Sequence, residues 1–140
     1  MKKVITSIVI VTLVTMYLQA CKKSDTTAAT STQTVLQKIQ YKWTLERIVD
    51  NNYYSGADHI NTTTGTSSDY FDFKKDGKVY FSFSGITDVV TYSLINDTQI
   101  LIDGTETYQI KTLTANSFVL YQKNIRNATD YDEETIIMKR

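Results

Sequence analysis

The stretch DYFDFKKDGKVYFSF (residues 69–83) decides the fold class of this chain. Two aromatic-rich runs, residues 69–73 and 78–83, surround the segment Lys74-Lys75-Asp76-Gly77. Within each run large apolar residues alternate with other residues, and a period of two indicates a β-strand. Asp-Gly between two such runs is typical of a tight hairpin turn. The stretch therefore predicts two antiparallel strands joined by a short turn.

The same signature repeats along the rest of the chain, where tyrosine, phenylalanine, threonine, valine and isoleucine are frequent. The sequence has no proline, so no strand loses a backbone donor. Strands are predicted at residues 43–49, 69–73, 78–83, 88–94, 99–102, 107–113, 117–123 and 134–139, and polar loops at residues 50–67 and 124–132.

These strands follow one another without intervening helices, which favours antiparallel neighbours over parallel crossovers. A meander of this length has to hide its edges, and closure into a barrel does so. The predicted fold is therefore all-β: an antiparallel up-and-down barrel of about eight strands with a short N-terminal helix. Alternation places one row of residues inside the barrel: Trp43, Leu45, Phe71, Phe73, Val79, Phe81, Phe83, Val90, Tyr92, Leu94, Ile100, Ile102, Tyr108, Ile110, Phe118 and Leu120.

The N-terminus has the parts of a secretory signal. Met1-Lys2-Lys3 is followed by an apolar run, residues 4–18, and then by Gln19, the small Ala20 and Cys21. The run is short for a transmembrane helix, which needs about 20 apolar residues. Leu18-Gln19-Ala20-Cys21 resembles the lipobox of bacterial lipoproteins. An uncleaved anchor, or a secreted protein with a chance cysteine, is the alternative interpretation.

The lipobox resemblance implies that Cys21, the only cysteine, is lipidated and becomes the first residue after cleavage. It implies a bacterial cell envelope protein held to the membrane by its lipid, and Lys22 in the next position implies the outer membrane. We expect residues 1–20 to be the signal peptide and residues 21–33 a flexible tether. The barrel domain is expected at residues 34–140, with a short helix at residues 35–39 capped by Thr34 or Thr32.

A second resemblance extends over most of residues 34–140. A short helix, a strand carrying Trp43, hairpins with Lys-Asp-Gly turns and the runs at residues 108–113 and 117–121 resemble lipocalin-like lipoproteins of Bacteroidetes-type bacteria. Lipocalins carry Gly-x-Trp at the first strand, and Tyr41-Lys42-Trp43 keeps the tryptophan without the glycine. The family packs an arginine over this tryptophan. Arg140 is the best match for that arginine, with Arg47 and Arg126 as rivals.

The same resemblance assigns a lid to the long loop after the first strand, which carries Tyr53, Tyr54 and His59. His59 is the only histidine, and we expect it to be a solvated loop residue rather than a catalytic one.

Catalytic and metal chemistry find little support in the sequence. Asp69 and Asp72 fall on opposite faces of one strand, and Glu46 falls on the outward row, so no two acids are expected to converge inside the barrel. Residues 130–134 are acidic, and we interpret them as a solvated charge run because they lack the spacing of a calcium loop. We therefore predict no enzyme activity, no metal and no cofactor.

Two functional hypotheses remain, because the inward aromatic residues either line a pocket or fill the core. In the first, the lipid-anchored barrel binds a small apolar ligand, and the candidate ligand-binding residues are Trp43, Phe71, Phe83, Tyr92, Tyr108 and Phe118. In the alternative, the barrel is filled and docks on another envelope protein through its loops or through the outward Tyr70, Tyr80 and Tyr121. Removing Lys2 and Lys3 with the signal leaves a formal charge of −2, which argues against nucleic acid as a partner.

Overall fold

The computed structural model describes residues 26–140 as one helix and nine strands. The elements are α1 (Thr26–Ile39), β1 (Lys42–Tyr54), β2 (Ala57–Thr64), β3 (Tyr70–Phe73), β4 (Lys78–Phe83), β5 (Ile86–Asn96), β6 (Gln99–Ile102), β7 (Glu106–Leu113), β8 (Ser117–Ile125) and β9 (Tyr131–Lys139). The predicted signal peptide, Cys21 and the first residues of the tether lie outside the described residues. Within residues 26–140 no helix has the length and apolarity needed to cross a membrane.

The sheet closes on itself. Its strands follow the order β1-β3-β4-β5-β6-β7-β8-β9, every pair is antiparallel, and β9 returns to pair with β1 from residue 44 to residue 53. Eight strands therefore form a closed barrel, and β2 pairs with β1 alone as a ninth strand. The predicted antiparallel up-and-down barrel is confirmed.

The predicted hairpin at residues 69–83 is also confirmed. Phe73 pairs with Val79, and the Lys74 amide donates to the Lys78 carbonyl oxygen at 2.8 Å. Gly77 has a φ of 77°, a left-handed conformation that glycine adopts without strain.

The helix is longer than the sequence predicted. It begins at Thr26, so residues 26–33, which were assigned to the tether, are helical. The physical reason is that this segment contains no glycine or proline to stop a helix, and Ala28 and Ala29 favour one. At its other end the helix contributes the fully buried Ile39 to the barrel core.

A β-bulge in β1 changes which of its residues face the interior. Leu45 pairs with Met138 and Arg47 with Ile137, so Glu46 is an extra residue opposite β9. Strict alternation within the predicted strand at residues 43–49 places Arg47 on the same face as Trp43 and Leu45, and this is wrong beyond the bulge. Ile48, not Arg47, packs against the core, and Arg47 is exposed.

The predicted loop at residues 50–67 is also wrong. β1 continues to Tyr54, turns through Ser55 and Gly56, and returns as β2. Both turn residues have positive φ, 54° and 76°, which is the geometry of a type I′ hairpin. Polar side chains did not prevent strand formation here, because β9 on one side and β2 on the other give residues 47–53 of β1 backbone partners on both edges.

The apolar core fills the end of the barrel next to α1. The Trp43 and Phe118 rings lie 5.4 Å apart, and Phe73 contacts Phe118 at 5.6 Å and Tyr92 at 5.2 Å between ring centroids. The Trp43 indole Nε1 donates to the Ile39 carbonyl oxygen at 2.9 Å, which satisfies the one polar atom of this buried ring. Every member of the predicted inward row except Phe81 lies in or against this core, and Ile39, Ile48, Ile136 and Met138 add to it.

Arg140 covers the tryptophan from outside. Its guanidinium carbon lies 3.8 Å from the Tyr41 ring centroid and 4.7 Å from that of Trp43, and its Nε donates to the Ala115 carbonyl oxygen at 2.6 Å. Of the three arginines considered from the sequence, Arg140 is the one that lies over Trp43.

The Asp69 carboxylate stabilises the interruption in the chain between β2 and β3. Its side chain is buried and accepts hydrogen bonds from the Thr66 amide at 2.8 Å and hydroxyl at 2.8 Å, and from the Ser84 amide at 3.0 Å. The hydrogen bonds from Thr66 are the main reason that the pKa of Asp69 lies below its usual value. The carboxylate thus joins the start of β3 to the turn between β4 and β5.

Gly65 lies against the bulge, and this generates a stability prediction. Its amide donates to the Glu46 carbonyl oxygen at 2.9 Å, and an added Cβ would overlap the Leu45 carbonyl oxygen and lie 2.9 Å from the Leu45 Cγ. We expect Gly65→Ala to lower the free energy of unfolding by about 1–3 kcal/mol, the usual cost of overpacking. Chemical denaturation measures this change.

The control for this variant is Ser67→Ala, at an exposed position two residues away. A surface change of this kind costs no more than about 0.5 kcal/mol. If the two variants were equally stable, the close approach of Gly65 to β1 would be disproved.

Candidate functional site

The inner surface of the barrel changes from apolar to polar at the end opposite α1. Beyond Ile48 the inward positions of β1 are Asp50 and Asn52, because side chains two residues apart share a face. Asp50 lies opposite Glu134 of β9, which in turn lies opposite Gln122 of β8. Asn52 begins the next layer, whose other members are Asp132 and Asn124. The interior therefore ends in two layers of carboxylates and amides.

These layers line an open cavity of about 270 Å³. Its lining residues are Asp50, Asn52, Asn61, Gln122, Asn124, Asp132, Glu133 and Glu134. None of them is a lysine or an arginine, and three are inward acids, Asp50, Asp132 and Glu134; the carboxylate of the fourth acid, Glu133, bonds Lys123 on the outer face. The cavity is therefore suited to hydrogen-bond donors and positive charge.

Glu134 is the most deeply placed acid of the cavity. Its Oε1 accepts a hydrogen bond from the Tyr108 hydroxyl at 2.7 Å, and that hydroxyl accepts one from the Gln122 Nε2 at 3.2 Å. Burial raises the pKa of Glu134, and the nearby charges of Asp50 and Glu106 raise it further, although the Tyr108 hydrogen bond acts in the opposite direction. Burial, followed by the charge of Glu134, likewise raises the pKa of Tyr108. These three side chains form an ordered floor beneath the cavity.

Above these three side chains, most of the polar groups that line the cavity do not form hydrogen bonds with one another. Within residues 26–140, the side chains of Asp50, Asn52, Asn61 and Asn124 make no hydrogen bond or ion pair with other parts of the chain. Asp132 is an exception, since Arg126 forms an ion pair with it at 3.0 Å. The uncommitted carboxylate and amides are free to bind a ligand that enters the cavity.

Two aromatic rings stand at the rim of the same face. His59 lies opposite Asn52, and its ring stacks on that of Tyr54 with 3.8 Å between centroids. The histidine is exposed, as predicted, but it belongs to strand β2 and not to a loop. The predicted lid loop with Tyr53, Tyr54 and His59 is thus the β1–β2 hairpin.

The outer face of the same strands is organised differently. Glu133 accepts from the Lys123 Nζ at 2.9 Å and from the Tyr121 hydroxyl at 2.7 Å, and these two hydrogen bonds lower its pKa. The Lys123 Nζ also lies 3.3 Å from the Tyr131 ring centroid, and Tyr131 stacks on Tyr53 at 4.9 Å. Here acids are paired with a cation, whereas on the inner face Asp50 and Glu134 face each other.

No family model, curated protein or solved structure matches this chain. A barrel by itself does not specify a function, so the residues at its polar end are the basis for assigning one.

The six candidate ligand-binding residues do not form a single group. Trp43 and Phe118 are fully buried at the α1 end and contact each other. Tyr92 is also buried there, and its hydroxyl donates to the Lys74 carbonyl oxygen at 2.7 Å. Tyr108 lies apart from them, in the floor of the polar cavity. Cys21, the predicted lipidation site, lies outside the described residues.

The remaining two candidates, Phe71 and Phe83, are only partly buried on the inner face. Phe71 stacks on Phe81 of the neighbouring strand with 5.7 Å between ring centroids. Phe83 lies at the end of β4 that points away from α1. Phe71 lies opposite Trp43 in the β1–β3 pair, and neither ring is among the residues that line the polar cavity.

The sequence interpretation missed Asp50, Asn52, Asn61 and Glu134 as site residues. It expected no two acids to converge inside, and the register overturns that expectation because Asp50 and Glu134 are directly opposite. Within the described part of the chain, no group of three or more histidine, cysteine, aspartate or glutamate residues is arranged to hold a metal ion. Ser55-Gly56, followed by the threonine-rich residues 62–64, is the sequence pattern from which the β1–β2 hairpin could have been predicted.

The two neighbouring glutamates of β9 generate a prediction about pH. A raised pKa means that the folded state favours the protonated form of Glu134 more than the unfolded state does. Its contribution to stability is therefore complete below the unfolded pKa of about 4.5 and is lost as pH rises through the folded pKa. We expect Glu134→Gln to raise the melting temperature at pH 7 and to have little effect at pH 4. Thermal unfolding followed by circular dichroism at both pH values measures this.

Glu133→Gln is the matched control, and its expected sign is opposite. The pKa of Glu133 is lowered, so its stabilisation is present above the unfolded pKa and is lost as pH falls through the folded pKa. This variant should lower the melting temperature at pH 7. A loss of stability at pH 7 in both variants would contradict the burial of Glu134 among other acids.

Proposed function

We propose that this chain is a lipid-anchored protein of the bacterial cell envelope whose barrel binds a small ligand at the polar end of its interior. The observation that carries the proposal is the inward, uncommitted set of carboxylates and amides above the Glu134–Tyr108 hydrogen bond. A surface that only closed the barrel would not need ionisable groups facing one another, because each carries a desolvation cost.

The ligand that fits carries a positive charge or several hydrogen-bond donors at one end. Asp50 and Glu134 provide acceptors at the bottom of the cavity, and Asn52, Asn61 and Asn124 provide both donors and acceptors above them. In place of the apolar ligand predicted from the sequence, we therefore propose a ligand with a polar or positively charged group.

The deep interior is a weaker candidate for the site. Trp43, Phe73, Tyr92 and Phe118 pack ring against ring at the α1 end, and eight-stranded barrels have room for side chains or for one small ligand. A ligand at that end would have to displace fully buried rings. The open end requires no such rearrangement.

A simple test uses three probes of six carbons each that differ in their polar head group, namely hexylamine, hexanol and hexanoate. We expect hexylamine to bind most tightly and hexanoate most weakly when each is titrated calorimetrically into the chain from residue 22 onwards. Glu134→Gln should weaken hexylamine binding about tenfold, the effect of losing one charge-assisted hydrogen bond.

The control for this test is Glu46→Gln, which removes a carboxylate from outside the cavity. Glu46 pairs with Arg47 at 3.2 Å, and both side chains are exposed, so hexylamine affinity should not change. Equal binding of hexylamine and hexanoate would contradict the proposed ligand class. Heat exchange with none of the three probes would favour the second candidate function.

That second candidate is an interaction module that docks on another envelope protein. The packed core favours it, and so does the outer face that carries the Tyr53–Tyr131 ring pair between two exposed isoleucines, Ile60 and Ile125. Of the outward tyrosines considered from the sequence, Tyr70 and Tyr121 already have a lysine over their rings. Capture of a defined envelope partner that is lost on changing Tyr53 or Tyr131 would support docking.

Lipid anchoring has its own test, because Cys21 is the only residue that can carry a thioether-linked lipid. We expect the full chain to incorporate radiolabelled palmitate in the bacterium and to sediment with membranes, since two or three acyl chains hold a protein lastingly. Cys21→Ser should abolish the labelling. A labelled Cys21→Ser variant would show that the lipid is attached elsewhere.

A further inference from the structure

Strand β2 presents a free edge. It pairs with β1 over all eight of its residues and ends the sheet order on that side, with no other strand partner among the described residues. In a hairpin with a two-residue turn, the residues that flank the turn form a hydrogen-bonded pair, here Tyr54 and Ala57. Alternate residues of β2 therefore direct their backbone groups away from β1. These residues are Asp58, Ile60, Thr62 and Thr64.

This edge has few of the features that usually prevent strands from associating. Protein edges are blunted by proline, by charged side chains and lysine above all, by bulges or by short length, and Asp58 is the one acidic residue of this edge. Residues 57–64, ADHINTTT, contain no proline or lysine, and the register against β1 runs without a shift. At eight residues β2 exceeds the common strand length of about 5–6 residues. Its threonines and Ile60 also favour extended structure.

We propose that two copies of this chain associate by antiparallel pairing of their β2 edges, with Asn61 opposite Asn61 of the second copy. A two-fold symmetric pairing needs outward residues to meet outward residues. The register centred on Asn61 meets this need for all four, because Asp58 faces Thr64 of the other copy and Ile60 faces Thr62. Eight backbone groups on each copy thereby gain partners.

The side chains are compatible with this register. The charged Asp58 faces a threonine, so no like charges are opposed across the interface. Ile60, which is 66% exposed, gains a threonine methyl as its neighbour. A second copy is favoured over an unrelated strand because the same short sequence supplies both halves of the match, as in other isologous interfaces.

The pairing has a consequence for the polar cavity. Opposite residues of antiparallel strands project to the same face, so the inner faces of the two copies become continuous. Asn61 lines the cavity, and its counterpart in the second copy lies directly beside it. The dimer therefore brings the two cavities together on one side of a shared sheet.

Cysteine cross-linking in the intact bacterium tests the pairing with the full, processed chain. Asn61 would form a pair without direct hydrogen bonds, with Cα atoms about 4.5 Å apart, a distance that a disulfide spans. We expect Asn61→Cys to give a band of twice the mass on non-reducing gels, and the parent chain to give none. Adding Thr62→Pro to that variant removes an outward amide and should abolish the band, while the inward hydrogen bonds of β2 remain.

Ile125→Cys is the matched control, because Ile125 is 74% exposed and lies on the outer face of β8, which β1 and β9 separate from the β2 edge. It should give no dimer. The proposal is overturned if Asn61→Cys remains monomeric, or if its dimer persists with Thr62→Pro or forms equally with Ile125→Cys. Failure of hexylamine to bind would leave this result unaffected, because the edge does not depend on the ligand.

Discussion

The β-bulge at Glu46 is the constraint on which the inner surface of this barrel depends. One extra residue opposite β9 shifts the side-chain alternation of β1, so Ile48, Asp50 and Asn52 face inward in place of Arg47, Val49 and Asn51. Gly65 stabilises the bulge from the other edge, where only a residue without a Cβ fits against Leu45. Without the bulge, the inner face would receive Arg47, and Asp50 and Asn52 would point to solvent.

The two halves of the interior have different physical roles. Near α1, the packed rings around Trp43 and the covering guanidinium of Arg140 supply apolar burial, the dominant favourable term in folding. At the other end, Asp50 and Glu134 face each other at a cost that the apolar half offsets. Proteins commonly retain such locally unfavourable groups where they bind ligands. The long β1–β9 pairing joins the two halves into one closed sheet.

Much of this architecture was predictable because it is encoded locally. The Asp-Gly hairpin, the alternation of aromatic residues and the absence of proline were enough to predict a closed antiparallel barrel and nearly all of its inward row. The polar half was not predictable in the same way. Asp50, Asn52 and Asn61 are poor strand formers, and they become strand residues only because β9 and the Ser55-Gly56 turn supply backbone partners from elsewhere. The bulge at Glu46 likewise leaves no pattern in the sequence. Because the bulge cannot be predicted, the pairing of Asp50 with Glu134 cannot be predicted from the sequence either.

The measurement that tests the central claim most directly is a backbone amide NMR titration of the chain from residue 22 onwards with hexylamine. If the polar end is the binding site, the largest chemical-shift changes will fall on residues 50–52, 122–124 and 132–134, which come from three different strands. The α1 end, including Trp43 and Tyr92, should be unaffected. Changes concentrated around Trp43 and Tyr92, or an absence of changes at millimolar hexylamine, would contradict the account.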